Sequence, residues 1–253
     1  MYHENNSYHN ALHAADVAQA IYCLLKEQRV NKCISAFEYM CAILAAICHD
    51  IDHPGVNQSF LVKSKQMLSI FYTSSLLENH HSNVTTSVLL QSKAFSDFST
   101  RPNVKGLILA TDITRQDEFL QNIQVDCNFV LNIVPSKDLT ERRYGQEDYV
   151  LTDDDRKLVA IKCADISNPC RQWAVSLLWA NCITEEFFLQ GDRENLLGLP
   201  VLPTMNRKTT TKAKVQIGES YDDVLFSFSL ALVPLACLER SSYSQSPRTL
   251  TAV

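Results

Sequence analysis

Glycine is scarce in this chain, with six residues among 253, and no segment shows a run of alternating β-branched residues. No linker rich in proline, glycine or serine divides the chain, and no internal repeat is present. These absences argue against a β-rich or multidomain protein and favour one α-rich domain. The hydrophobic content of 46% is enough to build a sizeable core.

Several classes of protein are also disfavoured by what is missing. The net charge is −5 and no long basic stretch occurs, so we expect no binding to a nucleic-acid polymer, whereas a single nucleotide stays open. The polar start, MYHENNSYHN, is not a signal peptide. The longest apolar run, Leu225 to Leu238, contains two serines and is too short for a transmembrane segment. The nine cysteines show no CxxC spacing, which indicates reduced thiols and a cytoplasmic protein.

Hydrophobic periodicity predicts a succession of helices. The first follows Asn10, a suitable N-cap, and the second ends before Pro54 and Gly55. Further helices are predicted at 58–64, 84–93, 104–123, from Asp153 through the LVAIKCAD segment, and at 172–190 with Gly191 as the stop. Residues 124–152 are interpreted as a surface loop, and the C-terminal end is interpreted as disordered.

Histidine and aspartate side chains interrupt these apolar helices at three places. His9 and His13 are four residues apart, His49 precedes Asp50, and Asp165 follows the apolar LVAIKCA run. Taken alone, an HxxxH pair is typical of two surface or hydrogen-bonded histidines. A buried carboxylate, however, is costly unless it holds a cation or a charged partner. Three imidazoles and two carboxylates together therefore predict a metal site.

The types of ligand narrow the choice of metal. Imidazole and carboxylate groups without thiolates suit zinc at a nitrogen-rich position, and magnesium or manganese at an oxygen-rich one. An aspartate shared by two ions would keep them roughly 3.5–4 Å apart. Such a pair of ions is typical of phosphohydrolases.

Five blocks resemble, in order, those of the class I cyclic-nucleotide phosphodiesterases: YHNALHAADV, AAICHDIDHPGVNQ, LLENHH, LATDITRQ and KCADISNPC. The similarity runs from about Tyr2 to Gly218, and HPGVNQSFL, ATDITRQDEFL and TEEFFLQGD look most like the type-7, cAMP-specific branch. The resemblance implies an all-α, compact multi-helix bundle of the HD-domain type. It divides the chain into a partial catalytic domain, residues 1–218, and a divergent C-terminal tail, residues 219–253.

The resemblance also implies a role for each matching residue. His13, His49, Asp50 and Asp165 would hold Zn²⁺, and Asp50 would bridge to Mg²⁺ or Mn²⁺. His53, Glu78 and Thr111 would hold waters on the second ion, and His9 would be the general acid. The nucleotide would contact Tyr8, Asn168, Ile183, Phe187 and Gln216. The implied reaction is hydrolysis of cAMP to 5′-AMP by a bridging hydroxide that the two metals activate.

Two departures from the family bear on activity. The resemblance begins almost at residue 1 and stops at Gly218, so we expect a chain truncated at both ends. Glu219 replaces the phenylalanine that stacks on the purine in the family. We therefore expect weak or undetectable cAMP hydrolysis despite a complete set of metal ligands. The alternatives are another HD-type phosphohydrolase, or a catalytically impaired metal-binding fragment or isoform.

Overall fold

The computed structural model describes residues 1–31, 34–95, 98, 102–115 and 153–216. Within these ranges the secondary structure is helical and contains no strand, which confirms the all-α prediction. The helices are α1 (Ala11–Lys26), α2 (Gln28–Asn31), α3 (Ala36–Cys48), α4 (Gln58–Lys63), α5 (Leu68–Phe71), α6 (Leu76–Gln91), α7 (Pro102–Ala110), α8 (Asp153–Asp165) and α9 (Trp173–Leu196). Short 3-10 turns lie at Ile113–Arg115, Asn168–Cys170 and Pro203–Met205, and a last helical stretch covers residues 212–216.

Three predictions lie outside the described residues: the surface loop at 124–152, the tail at 219–253 with Glu219, and the helix beyond residue 115. None of the helices in the described part of the chain combines the length and the apolar character needed to cross a membrane.

Two of the helices that contribute to the site, α1 and α3, start with well-formed caps. The Asn10 side chain accepts hydrogen bonds from the backbone N–H groups of Leu12 and His13, which confirms it as the N-cap of α1. Ser35 and Glu38 form a reciprocal capping box at the start of α3. These caps fix the first turn of each helix, and in α1 that turn carries His13.

A single core joins α1, α3, α7 and α8. Its completely buried side chains include Val17, Ile21 and Leu25 from α1, Ala45 and Ala46 from α3, Ile108 from α7 and Ile161 from α8. Burial of each leucine or isoleucine contributes roughly 1.5–3 kcal/mol. This packing brings the start of α1 and the ends of α3 and α8 together.

The helix end predicted at Gly191 is wrong, because α9 continues to Leu196. A Cβ atom at Gly191 would lie 2.0 Å from the Met205 carbonyl oxygen, so the glycine permits a close approach of two backbones. The chain instead leaves α9 at Gly198, whose φ of +66° suits a residue without a side chain.

Two other predicted boundaries differ because polar residues obscure the apolar period. Helix α6 begins at Leu76 rather than at residue 84, since its first turns carry the polar residues of LLENHH. Helix α7 ends at Ala110, and the chain turns at Thr111 and Asp112. Both departures bring polar side chains toward the same cleft.

Candidate functional site

Four side chains meet where α1, α3 and α8 converge. His13 lies in the first turn of α1, His49 is the C-cap of α3, Asp50 follows it, and Asp165 is the last residue of α8. His13 and His49 are almost completely buried, at 1% and 0% exposure. The four predicted zinc ligands are therefore brought together, and we call them the four-ligand cluster.

The distances in this cluster suit a small metal ion. His49 Nε2 lies 3.0 Å from Asp50 Oδ2 and 3.2 Å from Asp165 Oδ1. His13 Nε2 lies 3.5 Å and 3.1 Å from the same two oxygens, and the two Nε2 atoms are 3.3 Å apart. Four ligands placed about 2.0–2.1 Å from a central zinc ion form a tetrahedron with edges of about 3.3–3.4 Å. The five separations, which range from 3.0 to 3.5 Å, are thus close to those of a tetrahedral zinc site.

The orientation of His49 agrees with a ligand role. Its Nδ1 lies 2.9 Å from the Ala46 carbonyl oxygen, which can only accept, so Nδ1 carries the proton. In the neutral ring, Nε2 is then left with a lone pair that faces the carboxylates. The backbone of α3 therefore selects the tautomer that a metal requires.

His49 and the two carboxyl groups of the cluster shift one another's pKa. Burial alone would lower the pKa of His49, but Asp50 and Asp165 raise it well above its ordinary value. Burial alone would raise the pKa of each carboxyl group, but His49 lowers both. A divalent ion would take the place of the histidine proton, so metal binding here competes with protonation.

A second group of titratable side chains, Glu78, Asp112 and His81, lies near Asp50. Glu78 Oε2, Asp112 Oδ2 and His81 Nε2 are buried and have no hydrogen-bond partner within the described ranges. His81 Nε2 lies 3.8 Å from Asp50 Oδ1. Burial, followed by the charge of Asp112, raises the pKa of Glu78 to about 7. Buried carboxylate oxygens without partners are suited to a hard cation or its waters, and we call Glu78 and Asp112 the acidic pair.

The residues predicted to hold waters on the second ion included Glu78, but not Asp112 or His81. Asp112 directly follows Thr111 in the LATDITRQ block, and His81 is three residues after Glu78 in the LLENHH block. Asp112 is 1% exposed, and its Oδ1 accepts hydrogen bonds from the backbone N–H and the hydroxyl of Thr114. Thr111 donates its hydroxyl proton to the Ile108 carbonyl oxygen at 2.7 Å, which leaves its oxygen to accept from a water.

His9 precedes α1 and is held by a residue that the sequence did not reveal. Glu186 on α9 accepts hydrogen bonds from the backbone N–H groups of Tyr8 and His9, at 2.8 Å and 3.0 Å, and bonds to His9 Nδ1. Burial acts to lower the pKa of His9, but the charge and hydrogen bond of Glu186 raise it to about 9. Glu186 could have been noticed from the sequence, because it is an acidic residue one helical turn after Ile183, which was predicted to line the pocket.

His53 adopts the opposite protonation state. Its ring stacks on His9 with centroids 3.9 Å apart, and its Nδ1 accepts a hydrogen bond from the Gly55 N–H. Burial, and then the charge of His9, lower the pKa of His53 well below its ordinary value. The stack therefore consists of a protonated ring on a neutral ring.

All predicted site residues except His13 and His49 line one cleft with a volume of about 860 Å³. The metal-side lining residues are His9, Asp50, His53, Glu78, Thr111 and Asp165, and the nucleotide-side lining residues are Tyr8, Asn168, Ile183, Phe187 and Gln216. His13 and His49 are buried and are not among the residues that line the cleft. The structure thus brings the predicted residues together, and their individual roles stay predictions.

Comparison with known proteins gives a consistent result. Residues 8–227 match the family model of the 3'5'-cyclic nucleotide phosphodiesterases. The chain is 34% identical over 225 residues to the human high affinity cGMP-specific 3',5'-cyclic phosphodiesterase 9A, covering 85% of this chain and 35% of the relative. It is 33% identical over 231 residues to the human high affinity cAMP-specific and IBMX-insensitive 3',5'-cyclic phosphodiesterase 8A, covering 85% and 28%.

A solved structure agrees with the fold. The structure of LmjPDEB1 in complex with IBMX matches with a TM-score of 0.74 and 25% identity, over 96% of this chain and 74% of that chain. The chain spans about a third of the length of the curated relatives it matches. The assignment to the type-7 branch finds no support among these relatives, which are of types 8 and 9.

Proposed function

The chain belongs to the 3'5'-cyclic nucleotide phosphodiesterase family, and we propose that it hydrolyses a 3',5'-cyclic nucleotide, with cAMP favoured, to the 5'-monophosphate. The observation that carries this proposal is the four-ligand cluster, with separations of 3.0–3.5 Å, two of whose members, Asp50 and Asp165, line the same cleft as His9. A cyclic phosphodiester needs both features, because it is an anion with a poor leaving group.

We assign the four-ligand cluster to Zn²⁺ and the acidic pair, together with Asp50, to Mg²⁺ or Mn²⁺. Two such cations supply charge that neutralises the phosphodiester and lowers the pKa of a bound water. We assign His53, Glu78 and Thr111 to orienting waters on the harder ion. Thr111 can do so only as an acceptor, since its proton is already donated to Ile108.

His9 is assigned as the general acid that protonates the leaving 3'-oxygen. Its Nδ1 is occupied by Glu186, so Nε2 is the nitrogen that carries the available proton. A pKa of about 9 keeps this proton in place at neutral pH. The neutral ring of His53 beside it adds no second positive charge at the same point.

The base is assigned to the part of the cleft where Ile183 and Phe187 of α9 form one wall, with Gln216 and Asn168 as polar contacts. Side chains at positions 183 and 187 share one helix face, and both line the cleft. The relatives include one described as cAMP-specific and one described as cGMP-specific. The choice of cAMP therefore depends on a direct comparison of the two nucleotides.

Product analysis tests this function. Protein supplied with zinc and magnesium is incubated with cAMP or cGMP, and the products are separated by chromatography. We expect 5'-AMP and no 3'-AMP, with a higher kcat/KM for cAMP. Hydrolysis of other phosphate esters without turnover of either cyclic nucleotide would contradict the proposal, and faster turnover of cGMP would reverse the choice of base.

A second candidate function is nucleotide and metal binding with impaired catalysis. It is favoured by Glu219, which stands where the resemblance leads one to expect a stacking phenylalanine. One aromatic stack contributes roughly 1–3 kcal/mol to base binding. Zinc-loaded protein that binds cAMP but forms no product would support this candidate, and faster turnover by Glu219→Phe would identify the cause.

A further inference from the structure

The side-chain amide of Asn6 joins the segment before α1 to the turn after α3. Its Nδ2 donates one hydrogen bond to the His9 carbonyl oxygen at 2.9 Å and another to the His53 carbonyl oxygen at 2.7 Å. Because a carbonyl oxygen only accepts hydrogen bonds, the group between these two oxygens must be the NH₂ group, and both of its protons are used. His53 lies 47 positions after Asn6, so the amide connects two segments that are distant in the chain.

The oxygen of the same amide lies against Gly55. A Cβ atom at position 55 would lie 2.4 Å from Asn6 Oδ1, a distance that no side chain tolerates. The Gly55 N–H donates a hydrogen bond to His53 Nδ1 at 3.0 Å. The glycine therefore leaves room for the amide directly beside the residue whose carbonyl oxygen the amide binds.

The backbone of Asn6 is held in turn by the N-cap of α1. Asn10 Nδ2 donates a hydrogen bond to the Asn6 carbonyl oxygen at 2.9 Å, while Asn10 Oδ1 accepts from the first turn of the helix. The cap of α1 thus fixes the point from which the Asn6 side chain reaches His9 and His53.

The peptide group of His9 depends on contacts of this kind. His9 precedes α1, so the regular hydrogen bonds of the helix do not hold it. Glu186 accepts from its N–H at 3.0 Å, and Asn6 donates to its carbonyl oxygen. The ring of His9 stacks on the ring of His53 with centroids 3.9 Å apart, so Asn6 links the backbones of the two residues whose rings are stacked.

We propose that Asn6 is a positioning residue for the general acid, because its amide links the backbone of His9 to that of His53 and so keeps the two rings stacked at the cleft. This inference rests on the proposed function. Asn6 is not among the residues that line the cleft or form the four-ligand cluster, so it acts on the reaction through His9. Proton transfer requires the acid within hydrogen-bond reach of the leaving oxygen, and a displacement of about 1 Å can lower the rate about 10²-fold.

Two variants remove the donors in different ways. Asn6→Asp keeps the shape of the side chain but places a second oxygen against the two carbonyl oxygens, which repel it. Asn6→Leu removes the donors without adding a charge. Asn5→Asp is the matched control, because it adds the same charge at the exposed neighbouring position. An effect of charge alone would appear in both aspartate variants and not in Asn6→Leu.

The kinetic readout compares two leaving groups on protein supplied with zinc and magnesium. We expect both Asn6 variants to lower kcat for cAMP about tenfold, but to change kcat for a p-nitrophenyl phosphodiester by no more than about twofold, since p-nitrophenolate leaves without a proton donor. Asn5→Asp should match the parent on both substrates, and zinc content should be equal in all four proteins. Equal losses on the two substrates would overturn the inference, because a purely structural role lowers both rates alike, and so would unchanged turnover of cAMP.

NMR of the histidine rings gives a readout that needs no turnover. In the zinc-loaded parent protein and in Asn5→Asp, the ring protons of His9 and His53 should show contacts with each other, and in both Asn6 variants these contacts should weaken. Undiminished contacts in the two Asn6 variants would overturn the inference. If the parent protein hydrolyses neither cyclic nucleotide, the proposed function fails, and the ring contacts still decide whether Asn6 holds the stack.

Discussion

The four-ligand cluster includes Asp50, the acidic pair lies within the electrostatic influence of the same carboxylate, and the two groups are organised differently. In the cluster, histidine nitrogens lie 3.0–3.5 Å from carboxylate oxygens, so opposite charges already hold the ligands in place. In the acidic pair, Glu78 and Asp112 are both acids, and each has a buried oxygen without a hydrogen-bond partner in the described residues. Opposite charges already hold the ligands of the cluster, whereas burial and the charge of Asp112 raise the pKa of Glu78, and a cation or its waters would satisfy the unpaired oxygens of the acidic pair.

This difference predicts different behaviour for the two ions. If zinc is the ion of the cluster, binding it should require little movement of the ligands, because their atoms already have nearly the spacing of a zinc site. The acidic pair supplies oxygens to an ion that keeps much of its water, so its affinity should be lower and more sensitive to pH. Variants of Asp165 and of Glu78 test the two sides of this contrast.

Removing a ligand from the cluster should have the largest effect. Asp165→Ala leaves three ligands and an open position, so we expect bound zinc to fall from about one ion per chain to a small fraction. Metal analysis after gel filtration measures this. Asp192→Ala is the control, since Asp192 is a partly exposed residue that pairs with Arg207 and lies outside the cluster. Unchanged zinc in Asp165→Ala would refute the assignment of the cluster.

Removing the acid should separate metal binding from catalysis. His9→Gln keeps all four cluster ligands, so zinc content should not change, whereas kcat should fall about 10²–10⁴-fold. A phosphodiester with a better leaving group, such as a p-nitrophenyl ester, needs less protonation and should lose much less. Equal losses on both substrates, or full activity on cAMP, would exclude the acid role.

The sequence predicted which side chains meet at the site better than it predicted the ends of the helices. His13, His49, Asp50 and Asp165 were found because charged residues on apolar helices are costly without a partner, and the resemblance ordered them. Asn10 was found because capping is a local property of the chain. The end of α9 was missed because Gly191 serves a contact with Met205, which is fourteen residues away and invisible to local patterns.

Glu186 and Asp112 were missed for a related reason. Glu186 acts on His9, which lies 177 positions earlier in the chain, and no spacing rule connects the two. Asp112 becomes significant only because folding brings it close to Glu78, where its charge helps to raise the pKa of that carboxyl group. Long-range pairs of this kind arise from the packing of helices, so a single sequence does not report them.

Neutralising the acidic pair should weaken the second ion alone. In Glu78→Gln we expect the magnesium concentration for half-maximal activity to rise about 10–100-fold, while zinc content stays unchanged. The parent protein should also bind magnesium less well as pH falls through about 7, because protonated Glu78 no longer attracts a cation. This pH dependence should flatten in the variant. Loss of zinc together with magnesium would show that the two sites are not separate.

The smallest expected effect concerns Glu186, which sets the proton affinity of His9 without joining either metal site. In Glu186→Gln the charge that raises the pKa of His9 to about 9 is lost while burial still lowers it, so the alkaline limb of kcat should move to lower pH. The raised pKa also means that the pair stabilises the fold below the ordinary histidine pKa of about 6.5, as long as Glu186 is ionised, and that this contribution disappears as pH rises through about 9. The melting temperatures of the parent and the variant should therefore differ most near pH 6 and converge above pH 9. Glu185→Gln changes the neighbouring, exposed carboxylate that pairs with Arg207, and it should leave the alkaline limb in place. An identical shift in both variants would mean that general surface charge, and not the contact with His9, controls the proton.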